Sequence, residues 1–251
     1  MAPKQKLSAE MVAENYNKSV PSDYAGNYEF YRWFNERWSW EDYRMSFLSL
    51  NLHLSKLNPK NTLEIGPGPG TWTKLLLNKN PDMKITLVDV SEAMLEQCKQ
   101  NLFTRPNLKF VLGDFTTIPI KGTFDFFFSS RTIEYLPDKE TAVTRIYTLL
   151  DTNASGIIVT KNPGSLGRIL SLLIGRKPSA MHSGQISAKD FSELLTKVGF
   201  KNIEVYPSIM AFPPVKRIHF MTRILWKMFY KKPLNWFSSL LSESYIITFN
   251  K

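Results

Sequence analysis

The stretch Thr62-Leu63-Glu64-Ile65-Gly66-Pro67-Gly68-Pro69-Gly70 decides how this chain is read. An apolar run ends in three glycines at alternate positions, and a helix-like segment, Trp72 to Asn78, follows. That order is a strand, a tight turn and a helix start. Backbone N–H groups and the helix dipole at such a turn favour a polar or anionic ligand. Glycine lets the chain turn sharply and lets a ligand approach the backbone closely.

Outward from that turn the pattern alternates. Strands are expected at Thr62–Ile65, Lys84–Val90, Leu108–Leu112, Phe124–Ser129 and Gly156–Thr160. Between them stand helices over Thr71–Asn78, Glu92–Asn101 (with Ser91 as N-cap) and Lys139–Leu150. An amphipathic segment, Leu166–Ile174, follows; then Ser187 caps a helix that Gly199 closes. Ile203–Tyr206 and Ser244–Phe249 complete the set of strands. Short apolar strands alternating with helices argue for a parallel sheet with helices on both faces. Strands covered on both sides read as continuous apolar runs, as Phe126-Phe127-Phe128 does.

The 251 residues suit one domain with embellishments. The single cysteine, Cys98, excludes an intrachain disulfide and fits a reducing compartment. Three scattered histidines and one cysteine form no zinc spacing, so no metal is expected. The first ten residues, MAPKQKLSAE, lack the apolar core of a signal peptide, and no run of 18 apolar residues occurs. A cytoplasmic protein is the expectation, with peripheral membrane contact open. The net charge of +10 points to an anionic partner, nucleic acid or an anionic membrane surface.

Two regions frame the alternating core. Residues 1–20 are polar and read as frayed or helical with little to anchor them. Tyr24 to Trp40 is rich in aromatics, with Tyr28, Tyr31, Phe34 and Trp38 on one helical stripe that packs on the core or roofs a cleft. Arg44 to Lys56 reads as a helix. Near the other end, residues 207–243 carry Lys216, Arg217, Arg223, Lys227, Lys231 and Lys232 against one acid, Glu243. Ile218, Met221, Leu225 and Met228 share a helical face there, beside Trp226, Phe229, Trp236 and Phe237. Such a segment caps the cleft with a solvated basic face, or lies in a membrane interface. The expected layout is a helical cap over 1–57, a core over 58–206, the basic insertion 207–243, and a last strand over 244–251.

Four features fall at the carboxyl ends of successive strands, the edge where parallel sheets bind ligands. Glu64 precedes the glycines. Asp89 ends the second strand, 19 residues after Gly70, where a carboxylate can accept from both hydroxyls of a ribose. Asp114 can accept from an exocyclic amine, with Phe115 against a flat base. Ser129-Ser130-Arg131 ends the fourth strand, facing the glycine loop. A nicotinamide dinucleotide site has G-x-G-x-x-G, whereas here the third glycine comes one residue early and Thr71 follows.

The residues Glu64–Gly70, Leu87-Val88-Asp89-Val90-Ser91, Gly113-Asp114-Phe115, Phe124-Asp125 and Glu134-Tyr135-Leu136 make the chain resemble the class I S-adenosylmethionine-dependent methyltransferases. The resemblance runs from about Leu57 to Phe200 and into the last strand. It implies an α/β fold with a doubly wound, mostly parallel seven-stranded sheet. It further implies that Gly66, Pro67, Gly68 and Gly70 pass beside the methionine part of S-adenosylmethionine, with Glu64 orienting that loop. Asp89 would hold the ribose, Val90 and Met94 would flank the adenine with Phe115, Asp114 would meet the adenine amine, and Ser130 would line the methionine end. The product is S-adenosylhomocysteine. Acids at Glu64, Asp89 and Asp114 suit a cationic sulfonium better than a diphosphate.

Ser129-Ser130-Arg131-Thr132 takes the place of the Asn/Asp-Pro-Pro-Tyr/Phe run of enzymes that methylate the amino groups of DNA adenine. Met181 to Phe200 looks like a broad group of small-molecule methyltransferases, in which a His precedes a capped helix ending in Gly-Phe. His182 would then be a general base for an alcohol or phenol, or a loop residue fixing the helix entrance. Arg131 would bind an acidic acceptor group or pair with Glu134. The expected reaction is O-methylation of a small-molecule or lipid-linked acceptor. The alternatives are RNA methylation, and S-adenosylmethionine binding without catalysis.

Overall fold

The computed structural model describes residues 7–103, 105–176, 181, 183–211 and 219–251. Seven strands form one sheet: β1 (Asn61–Ile65), β2 (Lys84–Asp89), β3 (Leu108–Leu112), β4 (Phe124–Ser130), β5 (Leu150–Lys161), β6 (Lys201–Met210) and β7 (Ser242–Asn250). Their order is β3-β2-β1-β4-β5-β7-β6, and β7 runs antiparallel to both neighbours while the other pairings are parallel. Strand order reverses between β1 and β4, which places the ligand crevice at their carboxyl ends. The expected doubly wound, mostly parallel sheet is therefore the fold.

Alternate residues of the central strands serve opposite faces. Phe126 and Phe128 pack with Leu50 and Leu54 of α3 (Arg37–Leu54), Leu75 and Leu76 of α4 (Thr71–Lys79), and Cys98 and Leu102 of α5 (Glu92–Leu102). Phe127 points the other way, into a cluster with Val143 and Ile146 of α6 (Lys139–Leu149) and Phe191 and Leu195 of α8 (Ala188–Val198). Both faces being covered explains the unbroken apolar run. Local capping sets the helix starts. Ser91 accepts from Met94 N–H and Ser187 from Asp190 N–H, as their positions predict. Gly199 closes α8 at φ +115°, a conformation that favours glycine.

The N-terminal region is better anchored than its composition suggests. Helix α1 (Ala9–Ser22) starts on a Ser8 cap and buries Val12 and Val20. Its Asn17 side chain accepts from the Ser91 hydroxyl at 2.8 Å and from Ala93 N–H at 3.1 Å, which ties α1 to the start of α5. The aromatic stripe expected over 28–38 is interrupted: α2 (Tyr28–Trp33) ends at Phe34, and α3 begins at Arg37, seven residues before the expected Arg44. Trp33 is the buried aromatic, set edge-on to Trp72 at 5.6 Å, while Tyr31, Phe34 and Trp38 are exposed.

β6 continues to Met210, so the boundary expected at 206/207 falls inside a strand. After it come α9 (His219–Phe229) and α10 (Trp236–Leu241). Ile218 lies outside the described residues, and of the expected apolar face only Leu225 packs inward; Met221 and Met228 are exposed. The anchor is Trp226, 2% exposed, whose indole N–H donates to Ser208 O and Ser49 Oγ. Arg223 pairs with Glu41 of α3. Helix α7 (Leu166–Leu173) leaves β5 at the same edge of the sheet and touches α10.

Candidate functional site

A cavity of about 750 Å³ opens over the carboxyl ends of β1 and β4. That volume lies within the usual range for a small-molecule or cofactor site, roughly 300–1,000 Å³. Gly66, Pro67, Gly68, Val88, Asp89, Val90, Met94, Phe115 and Ser130 line it, together with Tyr16 of α1 and Tyr28 and Arg32 of α2. The N-terminal helices thus roof the cleft. Tyr28 N–H donates to Gln97 Oε1 at 3.2 Å, and Lys74 pairs with Glu29 at 2.8 Å, which fastens α2 over α4 and α5.

The glycine turn fits its surroundings closely. Gly66 sits at φ +64°, and a Cβ there would lie 1.8 Å from Thr132 Oγ1, which itself donates to Gly66 O. Gly68, at φ +55°, faces open space, so a ligand can approach its backbone. Gly70 serves packing instead: it begins α4, and its absent Cβ leaves room for Cys98 and Leu102. Gly66→Ala is expected to cost about 3 kcal/mol of stability, combining the left-handed penalty with overpacking. Urea unfolding would measure it. The double variant Gly66→Ala/Thr132→Ala should recover only the clash, leaving the backbone part.

Two carboxyls stand behind and beside that turn, Glu64 buried and Asp89 half-buried. Glu64, on β1, accepts from the Thr73 hydroxyl at 2.9 Å, tying the strand to α4 just beyond the loop. Burial pushes it up to about 8. Asp89 accepts from Ser91 N–H at 3.0 Å and Gly68 N–H at 3.4 Å, and burial raises it to about 6. The sign of the stability effect follows from proton binding. Between about pH 4, where these groups titrate in an unfolded chain, and pH 8, the folded state holds more protons. Stability of the ligand-free protein should therefore fall as pH rises across that window, read as urea midpoints at pH 5 and 8. Glu64→Gln should flatten the trend; a rise with pH that this variant leaves unchanged would contradict it.

Asp114 stands between two residues of the cavity wall, Gly113 and Phe115. Its Oδ1 accepts from both the N–H and the hydroxyl of Thr116, a local turn, and the residue is not part of the cavity wall. Phe115 is buried and does line the wall, with the Arg145 guanidinium 5.4 Å above its ring. Arg131, at φ +62°, donates from Nε to Glu134 Oε1 at 2.7 Å, and Thr160 donates to Glu134 Oε2. Burial alone would discharge both partners; their contact reverses this and holds Arg131 charged and Glu134 ionised. Of the two readings open for Arg131, pairing with Glu134 is present. His182 lies outside the described residues. Sequence reasoning missed Tyr16, Arg32 and Lys161 in the wall. Lys161 ends β5 and could have been found by extending the strand-end rule one strand further.

The residues present fit S-adenosylmethionine: a glycine turn open at Gly68, a carboxylate at Asp89 bonded only through backbone N–H groups, and an apolar Val90, Met94 and Phe115 wall. Fold and cleft together define a class I methyltransferase core. Residues 62–153 match a family profile described as a methyltransferase domain. A malonyl-[acyl-carrier protein] O-methyltransferase of Ilyobacter polytropus is 28% identical over 66% of this chain and 64% of its own length. A trans-aconitate 2-methyltransferase of Methylobacterium radiotolerans is 31% identical over 43% of this chain and 40% of its own length. The chain thus spans less than two thirds of these relatives. The fold also matches the N-methyltransferase NodS of Bradyrhizobium japonicum bound to S-adenosylhomocysteine, with TM-score 0.63, 14% identity, and coverage of 95% of this chain and 97% of that one. Residues 62–153 thus carry the methyltransferase-domain match within the fold of the class I methyltransferases, and S-adenosylmethionine is the cofactor of that class.

Proposed function

We propose that the protein transfers a methyl group from S-adenosylmethionine to an oxygen of a small-molecule or lipid-linked acceptor, with the acceptor reached at an anionic membrane surface. The observation that carries this reading is a single cavity whose wall holds both the glycine turn with Asp89 and the side chains of Tyr16, Tyr28, Arg32, Arg131 and Lys161. The O-methyltransferase among the relatives supports oxygen as the target. The bound cofactor supplies an electrophilic methyl carbon on a sulfonium. The chain's part is positioning. Asp89 holds the ribose hydroxyls, Gly66, Pro67 and Gly68 lie along the methionine part, Ser130 lines its end, and Val90, Met94 and Phe115 enclose the base. The roof of α1 and α2 excludes water and fixes the acceptor in line with the carbon–sulfur bond. The new bond forms at the acceptor oxygen, and the electron pair of the broken bond stays on sulfur. A hydroxyl acceptor must also lose its proton, for which His182 is the proposed base; a carboxylate needs none. Incubation with methyl-tritiated cofactor and a panel of alcohols, phenols, carboxylic acids and amines should label oxygen. Label confined to amines, or to added RNA, would overturn the reading.

The membrane part rests on surface composition. Phe220, Met221, Ile224 and Met228 on α9, Leu172, Leu173 and Ile174 at the end of α7, and Trp236 at 81% exposure leave apolar side chains in solvent beside Lys227, Lys231 and Lys232. Apolar groups flanked by lysines match the boundary of an anionic bilayer. Among the described residues no helix is long and apolar enough to cross a membrane. Flotation with liposomes containing anionic lipid should carry the protein upward at low salt, and Trp236→Ser with Lys231→Gln and Lys232→Gln should reduce it severalfold. Wild-type protein left at the bottom of the gradient would sink this part alone.

A further inference from the structure

The cavity wall mixes charges of both signs. Asp89 lines it beside the glycine turn, with Glu64 behind, and three cations, Arg32, Arg131 and Lys161, share the wall with Asp23, Asp42 and Glu243. Arg32 ends α2 with its guanidinium 3.8 Å from the centre of the Trp33 indole, a stack that occupies its face and leaves its N–H edge unspent. It makes no hydrogen bond or ion pair among the described residues. Arg131 gives its Nε to Glu134, and its terminal nitrogens donate to no described residue. Glu134 is itself shared with Thr160. Among the other acids of that wall, Asp42 attracts Arg32 and Glu243 attracts Lys161, and Asp42, Glu243 and Lys161 each have further interactions. Burial lowers Arg32 and takes Lys161 down to about 8, and the like charge of Arg131 adds to both shifts. Arg131 has Glu134 as its counter-charge, whereas holding Arg32 and Lys161 beside it costs energy because like charges repel. Guanidinium edges are matched to the two oxygens of a carboxylate or phosphate. Tyr16, Tyr28 and Tyr135, packed edge to face at 6.0–6.1 Å, line the same cavity and would enclose the bound group.

We propose that Arg32, Arg131 and Lys161 form a subsite for an oxyanion, a carboxylate or phosphate group, carried by the methyl acceptor. This rests on the cleft being the methyl-transfer site and narrows its substrate class. The subsite orients the acceptor by its charge, so a neutral analogue of the same shape is held poorly.

The test is calorimetric titration of the full chain, with and without S-adenosylhomocysteine, using inorganic phosphate, succinate and neutral succinamide as probes. Phosphate or succinate should bind, succinamide should not, and the stronger of the two anions names the group. Arg32→Gln and Lys161→Met should each weaken anion binding about tenfold or more, since each removes a charge-assisted contact. Arg32→Lys should retain most of it, and Lys84→Gln, at the opposite edge of the sheet, should leave it unchanged. Thermal melts of each variant confirm folding. Normal S-adenosylhomocysteine binding with no anion bound at 50-fold excess would overturn the subsite and leave the methyltransferase reading standing. Equal anion binding by wild type, Arg32→Gln and Lys161→Met would overturn it as well. Loss of S-adenosylhomocysteine binding itself would instead overturn the cofactor reading.

Discussion

Glu134→Ala is expected to destabilise the fold by about 3–5 kcal/mol, the range for breaking a buried ion pair from one side. The Glu134 side chain is fully buried and that of Arg131 is 20% exposed. Removing the carboxylate leaves a guanidinium with no counter-charge and the Thr160 hydroxyl without its acceptor. Arg131 also occupies a left-handed backbone position directly after β4, and Arg131 N–H donates to Val159 O. The loss therefore falls at the junction of β4 and β5. Glu134→Gln keeps hydrogen-bonding capacity but not charge, and should cost less. Urea denaturation of both variants would measure the difference, and a loss under 1 kcal/mol for the alanine variant would show that the pair contributes no net stability.

The second large effect is on ligand affinity. Asp89→Ala should weaken S-adenosylmethionine binding by about 2–3 kcal/mol, roughly 30- to 150-fold, as expected for hydrogen bonds to a charged group. Its effect on the ligand-free fold has the opposite sign. Above pH 6 the wild-type carboxylate is buried at a cost, so the alanine variant should be no less stable at pH 8. Affinity falling while stability holds distinguishes a binding group from a structural one. Calorimetry showing unchanged cofactor affinity in Asp89→Ala would remove the residue from the site.

The sheet was legible because its signals are local. Apolar runs bounded by Gly, Pro and Asn mark the strands, Ser91 and Ser187 mark helix starts, and Gly66 marks a left-handed turn under Thr132. What escaped depends on tertiary contact. Asp114 looks like a ligand group on the strand-end rule, and the bonds that one of its oxygens accepts from Thr116, two residues on, are not read from that rule. Gly70 reads as part of a ligand turn, whereas its space is taken by α5. Helix α1 reads as polar and unanchored, because its attachment runs through buried Val12 and Val20 and through Asn17, bonded to Ser91, 74 residues away. Arg32 carries no signal in the sequence, and only the way α2 lies across the crevice brings it into the wall. The inward face of α9 is set by Trp226 reaching β6, which helical periodicity alone does not identify.

The central claim is that this cleft, roofed by α1 and α2, binds S-adenosylmethionine. Hydrogen–deuterium exchange with and without S-adenosylhomocysteine tests it most directly. Protection is predicted at 64–71, 88–94 and 113–116, together with slower exchange in α1 and α2. No change on ligand addition, or protection confined to other parts of the sheet, would contradict it.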